Sequence, residues 1–166
     1  FLPTLLKHEG GYANNKNDRG KQTNFGITKA AWEQYAQDLL GVKPTIENLQ
    51  RMSKEQASKI IEVGFWDPSN STKISDKQMG WQYFDTYFNG GARDVVKSTL
   101  EIYGASTKSK ISSLNNLLKT TNAGEIYEQF KSERICRYEI IIENDPSQKG
   151  FRNTWMNRAN SFQYKK

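Results

Sequence analysis

The stretch His8-Glu9-Gly10-Gly11-Tyr12 decides how this sequence begins to fold. Leu5 and Leu6 precede Glu9 by four and three positions, so all three residues share one face of a predicted helix. Two glycines then favour a sharp end to that helix and leave room for a ligand near the backbone. Ionising a carboxylic acid on an apolar face costs free energy, which raises its pKa and suits it to general acid catalysis. The alternative for Glu9 is an ordinary ion pair near a helix end.

Helical patterns continue along most of the chain and predict an all-α protein, with a small hairpin in the early loop. Thr28 is a predicted N-cap of a helix that ends near Gly41, and Ser53 with Gln56 forms a capping-box pattern. Ser75 is predicted to cap the next long helix, which Gly90-Gly91 closes. The other predicted helices include a long one, which Asn122 caps and which ends before Pro146, and a last one with a stripe of Phe151, Trp155 and Phe162.

Composition excludes several classes of site and of protein. His8 and Cys136 are the only histidine and cysteine among the 166 residues, so an internal disulfide and a histidine- or cysteine-based metal cluster are excluded. A calcium loop of 12 residues that begins at Asn15 would close at Gly26. Such a loop is excluded, because Arg19 and Gly26 occupy positions at which it needs ligands. We therefore expect neither a metal nor a cofactor. The sequence shows no run of about 20 apolar residues and no signal peptide in this chain, so we expect no membrane insertion.

Basic charge is concentrated in the second half of the sequence. The net charge is +6, and residues 96–166 contribute most of it. A strongly basic region favours an anionic polymer as partner, although a basic surface that only keeps the protein in solution is the simpler alternative. We expect the field to come from five side chains, Lys131, Arg134, Arg137, Arg152 and Arg158. The sequence carries no nucleic-acid-binding motif of the usual families, so we expect no nucleic-acid partner.

The His8–Tyr12 block, followed by Asn14, Asp18, Gly20 and Thr23-Asn24-Phe25-Gly26-Ile27-Thr28, resembles the start of glycoside hydrolase family 108 domains. The similarity extends through Trp66-Asp67 and Phe84-Asp85 to Asn89-Gly90-Gly91. The loop departs from the family pattern at Asn15 and at Arg19-Gly20-Lys21. The part from about Val95 to Phe162 resembles the helical peptidoglycan-domain region of this family. We therefore expect two regions, a glycoside hydrolase region at 1–95 and a peptidoglycan-domain-like region at 96–166.

This resemblance implies a lysozyme-like fold and a muramidase, with Glu9 as the catalyst. The substrate would be the β-1,4 bond between N-acetylmuramic acid and N-acetylglucosamine in peptidoglycan glycan strands. A monomer acting in the cell envelope, by an export route that the sequence does not show, is the expectation. Some family members are labelled secretion activators, and others resemble phage endolysins.

The identity of the second catalytic group is open. Asp18 lies in the loop after Glu9, where an Asx-turn is the alternative role. Asp85 lies in a predicted helix, where a structural partnership with an arginine or with a backbone donor is the alternative. Candidate substrate contacts are Tyr12, Thr23, Asn24, Phe25, Thr28 and Trp66. Thr28 also fits a helix cap, and the aromatic residues also fit a core.

Two other functions fit the same sequence. A lytic transglycosylase also needs a single acid but releases an anhydro sugar. A non-catalytic wall-binding protein would keep the fold and use only the basic half, although binding alone does not require a carboxylate on an inward helix face.

Overall fold

A computed structural model describes residues 11–14 and 22–165 of the chain. The chain forms two compact units, Phe1–Pro68 and Ser69–Lys166. Within the described residues the structure is mainly helical with one small sheet, which confirms the predicted fold class and hairpin. The division between the units falls at 68/69, whereas the sequence similarity suggested regions meeting at 95/96.

The first unit contains a three-stranded antiparallel sheet with the order β1-β2-β3. Its strands are β1 Ala13–Asn14, β2 Gln22–Asn24 and β3 Ile27–Thr28. The β2–β3 turn consists of Phe25 and Gly26, with φ values of 48° and 76°. Two central residues with positive φ are what a type I′ hairpin turn requires, and this explains the glycine.

Three α-helices follow in the first unit: α1 Lys29–Leu40, α2 Ile46–Gln50 and α3 Lys54–Ile61. Thr28 caps α1, which ends at Gly41 in the left-handed conformation, and Ser53 and Gln56 form a reciprocal capping box on α3. These predicted caps are confirmed. A π-helical segment, Glu62–Trp66, and a short turn, Asp67–Ser69, continue from α3. The sequence pattern did not predict the π-helical segment.

The core of the first unit lies between the sheet and its helices. Trp32 is fully buried, and its ring nitrogen donates a hydrogen bond to the Thr45 carbonyl at 3.1 Å. A buried indole N–H needs such a partner, so this bond fixes the ring between α1 and the segment before α2. The other fully buried apolar residues of this core are Ile27, Ala36, Leu49, Ala57, Ile60 and Ile61.

The second unit is helical throughout its regular elements. Its α-helices are α4 Lys77–Phe88, α5 Ala92–Ile102, α6 Lys110–Thr120, α7 Ala123–Asn144 and α8 Arg152–Asn160. Two 3₁₀ segments, Ser71–Lys73 and Pro146–Phe151, precede α4 and α8. The long helix α7 packs against each of the other four, so it forms the centre of the unit.

Two details of the second unit differ from the sequence-based expectation. The N-cap of α4 is Asp76, not Ser75, because the Asp76 carboxylate accepts a hydrogen bond from Met79 N at 2.8 Å. Phe162 lies beyond the end of α8 rather than on its stripe, and its ring packs against the hydrophobic core of the unit.

The last described residues are attached to α4. The side-chain amide of Gln78 donates a hydrogen bond to the Lys165 carbonyl at 2.8 Å and accepts one from Lys165 N at 2.8 Å. The Tyr164 hydroxyl bonds the Asp76 carboxylate at 2.9 Å. This segment therefore has specific partners at the start of the same unit.

No helix in the described part of the chain is long and apolar enough to cross a membrane.

Candidate functional site

Two of the three predicted catalytic carboxylates, Glu9 and Asp18, lie outside the described residues. The structure does describe the flanking parts of the predicted site at 11–14 and 22–28. These parts form the small sheet, which places Tyr12, Thr23, Phe25 and Thr28 in or next to one hairpin. The described parts of the sequence that follows Glu9, residues 11–14 and 22–28, therefore belong to one small antiparallel sheet.

Asn24 anchors this sheet to the helical part of the unit. Its side chain is 3% exposed, and its amide nitrogen donates hydrogen bonds to the carbonyls of Leu49 at 2.8 Å and Gln50 at 3.2 Å. Both acceptors lie at the end of α2. These bonds occupy the amide's two donor protons, so the geometry favours a role for Asn24 in fixing β2 against α2 over a role as a substrate contact.

Thr23 and Thr28 lie opposite each other in the β2–β3 pair. The Thr28 hydroxyl accepts a hydrogen bond from Ala31 N at 3.2 Å, which makes it the N-cap of α1. A threonine cap satisfies one of the free amides at the start of a helix. Thr28 thus ties the hairpin directly to α1, and both threonines of the pair are partly exposed.

The aromatic candidates differ in their surroundings. Tyr12 is 36% exposed just before β1, and Phe25 is partly exposed in the hairpin turn. Trp66 is partly buried at the end of the π-helical segment, where Phe65 makes an edge-to-face contact with Tyr35 at a ring-centroid distance of 6.3 Å. Segments of π-helix occur frequently at functional sites, which makes 62–66 a second region of interest.

Asp85 is buried on α4 and holds two arginines of the second unit. Arg134 Nη2 bonds its Oδ2 at 2.6 Å, and Arg158 bonds both of its oxygens at 2.7–3.1 Å. Burial by itself raises the pKa of Asp85, but the hydrogen bonds from Arg158 and the charge of Arg134 outweigh it and leave the pKa below its ordinary value. A carboxylate held in this state is a poor proton donor, so the geometry favours the structural alternative for Asp85.

Arg134 and Arg158 were expected to belong to a basic outer field and instead lie inside this cluster. Arg134 also donates to the Tyr138 hydroxyl at 2.7 Å, and its guanidinium lies 5.5 Å from the centre of the Phe162 ring. The sequence allowed an arginine partner for Asp85 but gave no signal for which arginines, because Asp85 is separated from Arg134 and Arg158 by 49 and 73 residues. Among the described residues there is no group of three or more His, Cys, Asp or Glu side chains arranged to hold a metal ion.

Comparison with known proteins agrees with this architecture. A search of curated protein sequences gives no match. The fold is similar to that of SagA from Brucella abortus, with a TM-score of 0.69 and 17% sequence identity over 99% of this chain and 94% of that one. The sequence profile described as "Glycosyl hydrolase 108" matches residues 2–91, which is more than half of the chain and includes both sequence blocks of the candidate site. The chain therefore belongs to glycosyl hydrolase family 108.

Proposed function

We propose that this protein is a muramidase, which hydrolyses the β-1,4 bond between N-acetylmuramic acid and N-acetylglucosamine in peptidoglycan, and that it acts in the cell envelope. The observation that carries the proposal is the family match over residues 2–91, within which the His8–Tyr12 block is intact. The family supports a glycan substrate, and Glu9 is the residue of that block with the chemistry to cut it.

Glu9 acts in this proposal as the general acid. It protonates the glycosidic oxygen as the bond to the sugar carbon breaks, and the apolar helix face that the sequence predicts for Glu9 would keep the acid protonated near neutral pH. Asp18 is the proposed second carboxylate, because it lies in the same family block and has the charge to activate a water or stabilise the sugar cation. Asp85 is left out of the reaction because two arginines already neutralise it.

The small sheet and the residues next to it supply three of the proposed substrate contacts. Tyr12 and Phe25 present partly exposed rings, which suit the apolar faces of sugars, and Thr23 presents a hydroxyl for an acetamido group. Asn24 and Thr28 hold the sheet against the helices of the first unit, through hydrogen bonds with the Leu49 carbonyl and the Ala31 amide. Trp66 is a proposed contact on the π-helical segment.

The test is wall lysis by the full chain carrying Glu9→Gln, measured as loss of turbidity of purified peptidoglycan. Losing a general acid costs at least about 10²–10⁴ in rate. Glu33→Gln is the matched control, since Glu33 is a half-exposed residue in a surface pair with Lys29. Wild-type-like lysis by a folded Glu9→Gln protein refutes the assignment.

The masses of the released fragments separate hydrolysis from its closest alternative. A muramidase adds water and leaves a reducing sugar, whereas a lytic transglycosylase leaves an anhydro sugar that is lighter by one water. Release of no fragment by the wild-type protein, together with stable binding to the wall, would instead identify a non-catalytic wall-binding protein.

A further inference from the structure

The five basic side chains expected to form a field on the second half of the chain are all engaged within the protein. An acidic side chain lies within 3.5 Å of each one. The pairs are Lys131 with Glu128, Arg134 and Arg158 with Asp85, Arg137 with Asp94, and Arg152 with Glu139. Each of the five basic side chains is therefore compensated by an acidic neighbour, and their contribution to wall affinity as a diffuse field stays a prediction.

One continuous segment of the second unit carries basic charge and no acidic residue. Between Glu101 and Glu125 the sequence contains Lys108, Lys110 and Lys119 and no acidic residue. Within residues 11–14 and 22–165, none of these three lysines has an ion-pair partner. The segment comprises the end of α5, the loop at 103–109 and the whole of α6.

A groove of about 230 Å³ runs along this same segment. It is lined by Ala105, Ser106, Ser113, Asn116, Leu117 and Thr120. The side chains of Ser113 and Asn116 have no hydrogen-bond partner among the residues that the structure describes, so their polar groups remain available to a ligand. The lining thus combines hydroxyl and amide groups with the apolar surface of Ala105 and Leu117.

Helix geometry places the lysines beside the groove. Ser113, Asn116, Leu117 and Thr120 follow the spacing of one helical face of α6. Lys110 precedes Ser113 by one turn, Lys119 follows Asn116 by three residues, and Lys108 lies in the loop that carries Ser106. Lys110 and Lys119 are about 13.5 Å apart along the helix axis at 1.5 Å per residue. At about 100° per residue they project from opposite sides of α6, so one lysine lies on each flank of the groove face. The site therefore suits an extended ligand with several negative charges.

We propose that this groove, called here the α6 groove, binds the peptide-substituted glycan strand through the carboxylates of its peptides. Such a strand supplies negative charges for the lysines, amides and hydroxyls for Ser113 and Asn116, and methyl groups for Ala105 and Leu117. This proposal rests on the proposed function and adds a second contact with the same polymer, made by the second unit. Nucleic acid is a poorer match, because the groove lining has no aromatic side chain on which a base stacks.

The experiment compares two variants with the same loss of charge. The first carries Lys108→Gln, Lys110→Gln and Lys119→Gln. The control carries Lys54→Gln, Lys59→Gln and Lys149→Gln, which are exposed lysines also lacking an ion pair among the described residues. Both are made in the full chain with Glu9→Gln, so that binding is measured without cleavage. Co-sedimentation with purified peptidoglycan, freed of attached phosphate polymers, gives the dissociation constant at low salt.

The α6 groove variant should bind roughly tenfold more weakly, since three surface ion pairs are lost, while the control binds like its parent. The difference should shrink as salt rises to physiological levels. Removal of the peptides from the glycan with an amidase should abolish the difference. Equal binding by both variants overturns the proposal. A difference in binding that survives amidase treatment also overturns it. The same holds for a difference that appears only when phosphate polymers or anionic lipid vesicles replace the purified peptidoglycan.

Cleavage is measured separately, with Glu9 unchanged in both triple variants. The substrate is a short soluble glycan without peptides. Both triple variants should cut it at the wild-type rate. If the wild-type protein does not cut it, the proposed function fails, yet the binding comparison still decides whether the α6 groove holds the peptide-bearing strand.

Discussion

Arg134 Nη2 lies 2.6 Å from Asp85 Oδ2, and neither side chain is more than 3% exposed. Arg158 approaches the same carboxylate from α8, so one acidic group on α4 joins α7 and α8. Two arginines and one aspartate leave an excess of positive charge in this cluster. The carboxylate is therefore the member whose loss the second unit tolerates least.

We expect Asp85→Asn to lower the free energy of unfolding by about 3–5 kcal/mol, because it leaves two largely buried arginines without a counter-ion. Urea unfolding followed by circular dichroism measures the loss. Asp94→Asn is the matched control, since Asp94 is 68% exposed in its pair with Arg137 and should cost less than about 1 kcal/mol. The remaining folded Asp85→Asn protein should still lyse peptidoglycan. Complete loss of lysis in folded protein would restore Asp85 to the catalytic candidates.

The same cluster predicts an acid limit to stability. The pKa of Asp85 is lower in the folded protein than its unfolded value of about 3.9, so its contribution is complete above that value. The contribution declines as the pH falls from about 5 and is lost below the folded pKa. The difference in unfolding free energy between wild type and Asp85→Asn should therefore be constant near neutral pH and narrow in acid. A difference that widens in acid would contradict the assigned direction.

Thr28 permits a test of capping against substrate contact. We expect Thr28→Ala to cost about 1 kcal/mol of stability, because the amide of Ala31 loses its acceptor. Thr28→Asp supplies an equally good cap without a hydroxyl group. If capping is the role of Thr28, the Asp variant recovers both stability and lysis. Recovery of thermal stability without recovery of lysis would show that the hydroxyl meets the substrate.

Gly64, within the π-helical segment, allows the close approach of Tyr35. A Cβ at this position would lie 2.8 Å from Tyr35 Cε2, so we expect Gly64→Ala to destabilise the first unit by about 1–3 kcal/mol. Gly150→Ala is the control, since its Cβ meets no atom within 4 Å, and should change stability by less than about 0.5 kcal/mol. Removing the ring with Tyr35→Ala should make the Gly64 substitution nearly neutral. Persistence of the full cost in that background would contradict the steric explanation.

Local signals in the sequence predicted the helices and several of their ends. Thr28 and the Ser53–Gln56 pair were recognisable because a cap depends on residues only three positions apart. The prediction of Ser75 in place of Asp76 was wrong by one residue, since both side chains are good caps and only the backbone conformation decides between them. The π-helical segment carried no recognisable pattern in the sequence.

Long-range partnerships were beyond local reasoning. A basic side chain in sequence does not reveal whether it faces solvent or a carboxylate, and this is why Arg134 and Arg158 were assigned to the wrong surface. Asn24 was a plausible sugar ligand from its motif, yet its amide is used on the Leu49 and Gln50 carbonyls. Charge counts along the sequence identified the basic half correctly, but only the network of ion pairs showed which lysines remain uncompensated.

The paired hydrogen bonds between Gln78 and Lys165 make the second unit a ring in terms of chain topology. The first long helix of the unit, α4, and the last described residues are neighbours. The packing of the helices therefore depends little on where the chain of the unit starts and stops. The same set of contacts is available to a circular permutant whose ends are joined by a short linker and reopened in the exposed loop before α6. The order of the helices along the chain is thus separable from their arrangement around α7.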